Sequence, residues 1–300
     1  MRKYLLLLSV ALLTVPAFSQ TSAKKPLKIF IAVDSEGPSG VVTYWGHDYE
    51  HGLYAEGQQL LMSDVNAAVE GCQRAGATEI VVSDDTAKSL TISPLTLNPA
   101  ALLIRGRARE KRLPNLHGLD ETFSGVILLG THAREGTPDG VLAHTLSGVS
   151  EEHRRYWHNG REIGEMDVYA TVAGHYGVPV IMVTGCEATC RQARELLGDQ
   201  IVTVAVKKAF AQERAVVISP KVTAGMITRG VQEAVARMGK IPPYRVPVPV
   251  KVRLQFPTKE LADRHEANRR KRYPDWPGVR VDERTFEAVI HSLLDPNLYL

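Results

Sequence analysis

The chain has 300 residues, with 36 basic against 33 acidic side chains, and its formal net charge of +3 falls to +1 when Arg2 and Lys3 are set aside with an N-terminal leader. So near a balance gives no electrostatic case for a nucleic-acid partner, and the basic stretches Arg105 to Arg112 and Arg264 to Arg272 lack interleaved aromatic platforms and read as solvated surface. Three cysteines are too few for a disulfide framework, although Cys186 and Cys190, four apart, would share a helix face and suit either a bridge or apolar packing.

Residues 1–20 read as a secretory signal peptide. Arg2 and Lys3 form the basic end, Leu5 to Leu13 the apolar centre and Pro16 to Gln20 the small-residue cleavage zone. The apolar run is too short to span a bilayer, so a secreted or periplasmic protein free of the membrane is expected.

Leu27 to Val33 is an apolar, β-branched strand that ends in Asp34 and Glu36. Gly57 to Ala75 has helical periodicity through Leu60, Leu61, Val65, Ala68 and Val69, and Gly76 ends it. Thr78 to Ser83 is a second buried strand closed by Asp84 and Asp85, Ala101 to Ile104 a short third, and Ser124 to Gly130 a fourth, followed by Thr131 and His132. Gly164 to Tyr176 predicts a helix, Val178 to Thr184 a strand, Ala188 to Leu197 a helix and Ile201 to Val206 a strand. Short apolar strands alternating with amphipathic helices predict an α/β fold, a mostly parallel sheet with helices on both faces, over residues 26–216. Residues 217–300 are expected to form a smaller C-terminal α+β portion. It holds a helix from Pro220 to Met238, a proline-rich linker running into an edge strand at Val252 to Phe256, a polar helix from Thr258 to Arg270 and a terminal helix from Glu283 to Leu294.

Polar residues collect where the strands end. On an extended strand residues two apart share a side, so Asp34 and Glu36 can face one spot at the carboxyl end of the first strand. With His132 and Glu165 from later loops they form a set of carboxylate and imidazole donors that suits zinc better than manganese or iron. Each also fits a plainer role, His132 as a satisfied core histidine and Glu165 as a carboxylate at a helix start.

Four collinear runs, IAVDSEGPSG, LMSDVNAAVEG, LLGTHAREGTPDGVLAHT and NGREIGEMDVYATVAGHYGVPVIMVTG, together resemble the bacterial zinc-dependent D-aminopeptidases, the DppA-like metallopeptidases. The resemblance covers about Leu27 to Pro220 and weakens beyond. It implies that Asp34, Glu36, His132 and Glu165 are metal ligands, with the Asp bridging two zinc ions, and that His144 has the direct catalytic role. It also implies a ring-forming homo-oligomer. One position departs from the family pattern. Where the family has N-D-S-H, with the histidine on one zinc, this chain has Ser83-Asp84-Asp85-Thr86, and a Thr hydroxyl is a poor zinc ligand.

Three outcomes follow from that departure. Asp84 or Asp85 supplies a replacement carboxylate, His47 or His51 swings in, or the chain holds one metal through Asp34, His132 and Glu165 with an open fourth position. The last is favoured, so one or two zinc ions per chain are expected with the second site in doubt. Glu36, if released from a missing metal, becomes a candidate anchor for a substrate α-ammonium. The expected activity is an exported aminopeptidase acting on short peptides, with D-residues at the amino end, through metal-activated water. The alternatives are a degenerate homologue that binds peptide or metal without turnover, and a different metal-dependent amidase on the same scaffold.

Overall fold

The computed structural model describes residues 26–44, 53–86, 89–106, 116–146 and 153–299. The leader read at 1–20, both loop histidines His47 and His51, and most of the Arg105 to Arg112 run lie outside them. No helix among the described residues is long and apolar enough to cross a membrane.

A seven-stranded sheet forms the frame. Its strands are β1 (Lys28–Val33), β2 (Glu79–Asp84), β3 (Ala101–Ile104), β4 (Gly125–Leu129), β7 (Val180–Cys186), β8 (Val202–Ala211) and β9 (Arg214–Val217), in the order β3-β2-β1-β4-β7-β8-β9. All neighbours pair in parallel except β8 and β9, which form an antiparallel hairpin. The expected mostly parallel sheet is therefore present, and β8 runs five residues past the strand expected to end at Val206.

Period-two alternation in β1 sends Ile29, Ile31 and Val33 to one face and Phe30 and Ala32 to the other. The first face is covered by α1 (Leu53–Arg74) and α4 (Pro220–Arg237), the second by α2 (Glu165–His175) and α3 (Glu187–Leu197). Each aliphatic side chain fully buried in these layers contributes roughly 1.5–3 kcal/mol. Helices α1 and α4 approach closely because Gly71 has no Cβ, which would stand 2.7 Å from that of Val231.

A second sheet is antiparallel, with the order β11-β12-β10-β5-β6. Its strands are β5 (Arg155–His158), β6 (Arg161–Ile163), β10 (Val250–Gln255), β11 (Val279–Arg280) and β12 (Thr285–Ile290), and α5 (Lys259–Arg272) joins β10 to β11. Three expectations are corrected here. The segment read as a terminal helix over 283–294 is strand β12, in which Phe286, Ala288 and Ile290 are buried while Val289 faces out. Strand β10 is central rather than an edge, pairing with both β12 and β5. It can be central because Pro247 and Pro249 both precede its first residue, so no ladder donor is missing. The division at 216/217 is crossed in both directions, since β5 and β6 join the C-terminal strands and α4 packs beside α1 on the large sheet.

The β5–β6 hairpin turns on Asn159 and Gly160, whose φ values of +49° and +82° belong to the tight turn that Asn-Gly favours. The cysteines are free and buried; Cys186 ends β7, and Cys190 lies within α3.

Candidate metal centre

The chain runs from β1 outward to β3, then returns to β4 on the other side of β1. That reversal opens a crevice at the carboxyl ends of β1 and β4, where open α/β sheets receive ligands. Asp34 and Glu36 follow β1, His132 follows β4, and Glu165 is the first residue of α2. His144 sits in the loop between His132 and β5.

The loop after β1 is pinned on every side. Asp34 N donates to Leu129 O at 2.9 Å and Gly37 N to Gly130 O at 2.6 Å. The approach is so close that a Cβ on Gly37 would stand 2.1 Å from Thr131 O, and one on Gly185 would stand 2.4 Å from the same atom. From beneath, the buried Lys207 Nζ donates to the carbonyls of Glu36 (2.7 Å), Pro38 (3.1 Å) and Val41 (2.5 Å). Burial draws its pKa down to about 8. Nothing in the sequence reading singled out Lys207. Its one signal is a cation interrupting the apolar run VTVAV, where a strand otherwise buries its side chains.

Asp34 Oδ1 accepts from Ser35 N at 2.8 Å, which leaves Oδ2 turned toward His132. His132 Nδ1 faces the Ala133 carbonyl at 3.0 Å, which leaves Nε2 as its open atom. These two buried atoms, Asp34 Oδ2 and His132 Nε2, have no hydrogen-bond partner and stand 3.5 Å apart. The same Nε2 is 3.5 Å from Glu165 Oε1. Tetrahedral zinc with bonds of 2.0–2.2 Å holds neighbouring donors about 3.3–3.5 Å apart. Each spacing is too long for a hydrogen bond and right for a pair of ligands on one ion.

The donors fall into two overlapping clusters, Asp34 with Glu36 and His132, and His132 with His144 and Glu165. The three residues read from the sequence as one site, Asp34, His132 and Glu165, are thus divided between two clusters that share only His132, Asp34 lying with Glu36 and Glu165 with His144. His144 stacks on His132 with ring centroids 3.9 Å apart and an interplanar angle of 11°. Its Nδ1 is 2.7 Å from Leu142 O, and its Nε2 is 3.7 Å from Glu165 Oε1. The residues that bracket it, Leu142 and Leu146, have φ of +51° and +56°, a left-handed backbone costing about 1–2 kcal/mol at each such residue. Two contacts hold that strain in place. Gln212 clamps Ala143 through its N–H and carbonyl (3.2 and 2.7 Å), and Leu146 N donates to Glu165 Oε1 at 2.7 Å.

Asp84, Asp85 and Thr86 stand outside both clusters. Thr86 is buried and donates to Asp84 Oδ1 at 2.6 Å, and Ile92 N donates to Asp84 Oδ2 at 2.8 Å, so both Asp84 oxygens are engaged. Asp85 accepts from the Ser83 hydroxyl at 3.0 Å, and burial lifts its pKa to about 7.

Charges in the centre are strongly linked. Burial and then the Glu36 charge raise the Asp34 carboxyl well above the usual range. At Glu165 the penalty of burial is outweighed by the His132 charge, which brings it to about 2. At His132 the penalty of burial is outweighed by Glu165 and Asp34, which lift it to about 10. Burial, and then the His132 charge, lower His144, so its imidazole is neutral near pH 7. The His132 charge thus faces, above all, the ionised Glu165.

Comparison with known proteins places the chain in a family. The family model for D-aminopeptidase, peptidase M55, matches residues 27–294. A D-aminopeptidase of Bacillus subtilis (strain 168) is 32% identical over 222 residues, 74% of this chain and 78% of that protein. The solved structure of the Zn-dependent D-aminopeptidase DppA from Bacillus subtilis, a self-compartmentalizing protease, matches with a TM-score of 0.80 at 27% identity. That match spans 90% of this chain and 94% of its own.

Proposed function

The chain belongs to the D-aminopeptidase family of M55 peptidases, and on that premise we propose that it is an exported, zinc-dependent enzyme releasing D-amino acids from the amino ends of short peptides. The observation that carries this most directly is the pair of buried, unpartnered atoms, Asp34 Oδ2 and His132 Nε2, at ligand spacing. His132 would hold the ion with Asp34 from one cluster or with Glu165 from the other, with Glu36 a weaker ligand or the anchor for a substrate α-ammonium. Zinc bound there supplies a water acidified from about 15.7 toward about 7 and offsets charge growing on the scissile carbonyl. His144 presents a neutral Nε2 to that space, takes the proton from the attacking water and returns it to the leaving amine.

One strong ion per chain is the stoichiometry that the donors favour. His132 Nδ1 is committed to Ala133 O, so its single open nitrogen serves one ion, and Thr86 offers no imidazole for a second. The self-compartmentalizing assembly of the Bacillus subtilis structure supports an oligomeric ring for this chain, which would restrict substrates to short peptides. The leader-like residues 1–20 support export.

The test is zinc content by elemental analysis together with nitroaniline release from D-Ala-p-nitroanilide and its L-isomer. About one zinc per chain with turnover selective for the D-isomer is expected. Neither zinc nor turnover would identify a degenerate homologue instead. In the same assay Thr86→His should raise zinc from about one to about two per chain; a folded variant that stays at one would show that Thr86 does not limit the second site.

Zinc uptake should also be coupled to pH. His132, with its pKa near 10, carries its proton in the metal-free protein at pH 7, and a metal needs that lone pair. At least one proton should therefore leave per zinc bound, with apparent affinity rising about tenfold per pH unit for each proton until pH nears 10. Calorimetry in buffers of different protonation enthalpy measures the release, and a value of zero would remove His132 from the ligand set.

A further inference from the structure

A cleft of about 280 Å³ opens beside His132, lined also by Arg134, Arg161, Glu162, Asp167 and Gln192. It continues past Arg134 and Gln192 into a second cleft of about 310 Å³. Most of the charges along this groove are spoken for. Arg161 Nη2 binds Asp167 at 2.5 Å and the Tyr244 hydroxyl at 2.8 Å. Arg155 grips Glu162 through two bonds of 2.5 and 2.6 Å, and Arg191 grips Asp139 through two of 2.9 Å.

Arg134 is different. Its backbone is fixed, with its N–H donating to Gln192 Oε1 at 3.1 Å and its carbonyl accepting from Thr137 Oγ1 at 2.7 Å. Its Cβ occupies the space left by the missing side chain of Gly164, where an added Cβ would be 2.8 Å away. Yet its guanidinium has no hydrogen bond or ion pair among the described residues. A half-buried guanidinium on a fixed stem, uncommitted and next to the proposed metal ligand, presents a planar fork matched to a carboxylate.

We propose that Arg134 binds a carboxylate on the leaving-group side of the substrate, so that the preferred substrates are very short peptides whose acid group lies within a residue or two of the scissile bond. This rests on the aminopeptidase reading above. The α-ammonium is repelled by an unpaired cation and attracted to the Glu36 carboxylate, so the amino end lies there and the carboxyl end toward Arg134. The cleft sits below the roughly 300–1,000 Å³ of pockets that take drug-sized ligands, which suits one residue with its carboxylate. That carboxylate is either the peptide's terminus or an acidic side chain.

Three substrates separate the possibilities: D-alanylglycine, its amide, and D-alanylglutamate α-amide. For the zinc-loaded protein kcat/KM should favour D-alanylglycine over its amide by about 10- to 100-fold, the range of a charge-assisted hydrogen bond. Arg134→Gln should bring that ratio toward one mainly through KM, and Arg134→Lys should keep part of it. Recovery of the preference with the glutamate amide would assign the site to an acidic side chain, and no recovery to the terminus. A wild-type ratio near one, or an equal loss on all three substrates in Arg134→Gln, would overturn the proposal. Calorimetry of D-alanylglycine and its amide on the metal-free protein gives the binding order without turnover. Absent hydrolysis by the zinc-loaded protein would then strike the aminopeptidase reading, while equal binding of acid and amide would strike Arg134 itself.

Discussion

Replacing His132 with alanine should remove zinc and turnover in one step. Both donor clusters pass through this ring, so its loss leaves no set of three donors among the described residues within reach of one ion. Zinc content should fall below about a tenth of an equivalent, and kcat/KM should fall by roughly 10³-fold or more, because the acidification of water by zinc goes with the metal. The His132 charge offsets that of Glu165, so the variant also leaves Asp34, Glu36 and Glu165 facing one another in a buried space. Circular dichroism therefore has to accompany the metal assay, and His132→Gln, which keeps most of the volume, serves as the second variant. A folded variant that retains stoichiometric zinc would move the metal away from this centre altogether.

The sheet and the position of the site were legible for the same reason. Strands such as Lys28–Val33 and Gly125–Leu129 bury both faces, so they read as unbroken apolar runs, and the first polar residue after each run marks the crevice. Asp34 announces itself in this way, and His132 comes directly after Thr131, the first polar residue beyond the second run. The second sheet was harder to read. Strand β12 lies in a stretch that begins with charge, Asp282-Glu283-Arg284, and its alternation of Phe286, Ala288 and Ile290 also permits a helix until β10 is known to lie beside it. The β5–β6 hairpin did carry a local signal, Asn159-Gly160, but its two strands are only four and three residues long. The role of Lys207 was illegible, because its three carbonyl partners lie some 170 residues away in sequence and exist as a cradle only after β8 has joined the sheet. The stacking of His144 on His132 is tertiary in the same sense; only the strained loop between Leu142 and Leu146 brings the rings to 3.9 Å.

That stacking makes His144 the most informative second target. Its Nε2 lies 3.7 Å from Glu165 Oε1 and belongs to one of the two donor clusters, so ligand and general base are the two roles its geometry allows. The bond between Nδ1 and Leu142 O fixes the tautomer that leaves Nε2 unprotonated, and its lowered pKa keeps that lone pair available at neutral pH. A general base is therefore the expected role. His144→Ala should keep about one zinc per chain and lower kcat by about 10²- to 10⁴-fold with little change in KM. The acidic limb of the pH–rate profile, which reports protonation of this imidazole, should disappear as well. His144→Gln keeps the contact with His132 while removing the basic nitrogen, so it should lose kcat to a similar degree; a Gln variant with near wild-type kcat would reduce the role to packing. If His144→Ala instead lost its zinc along with its activity, His144 would be a ligand of the cluster with His132 and Glu165, and the base would have to be sought among the carboxylates, with Glu36 first.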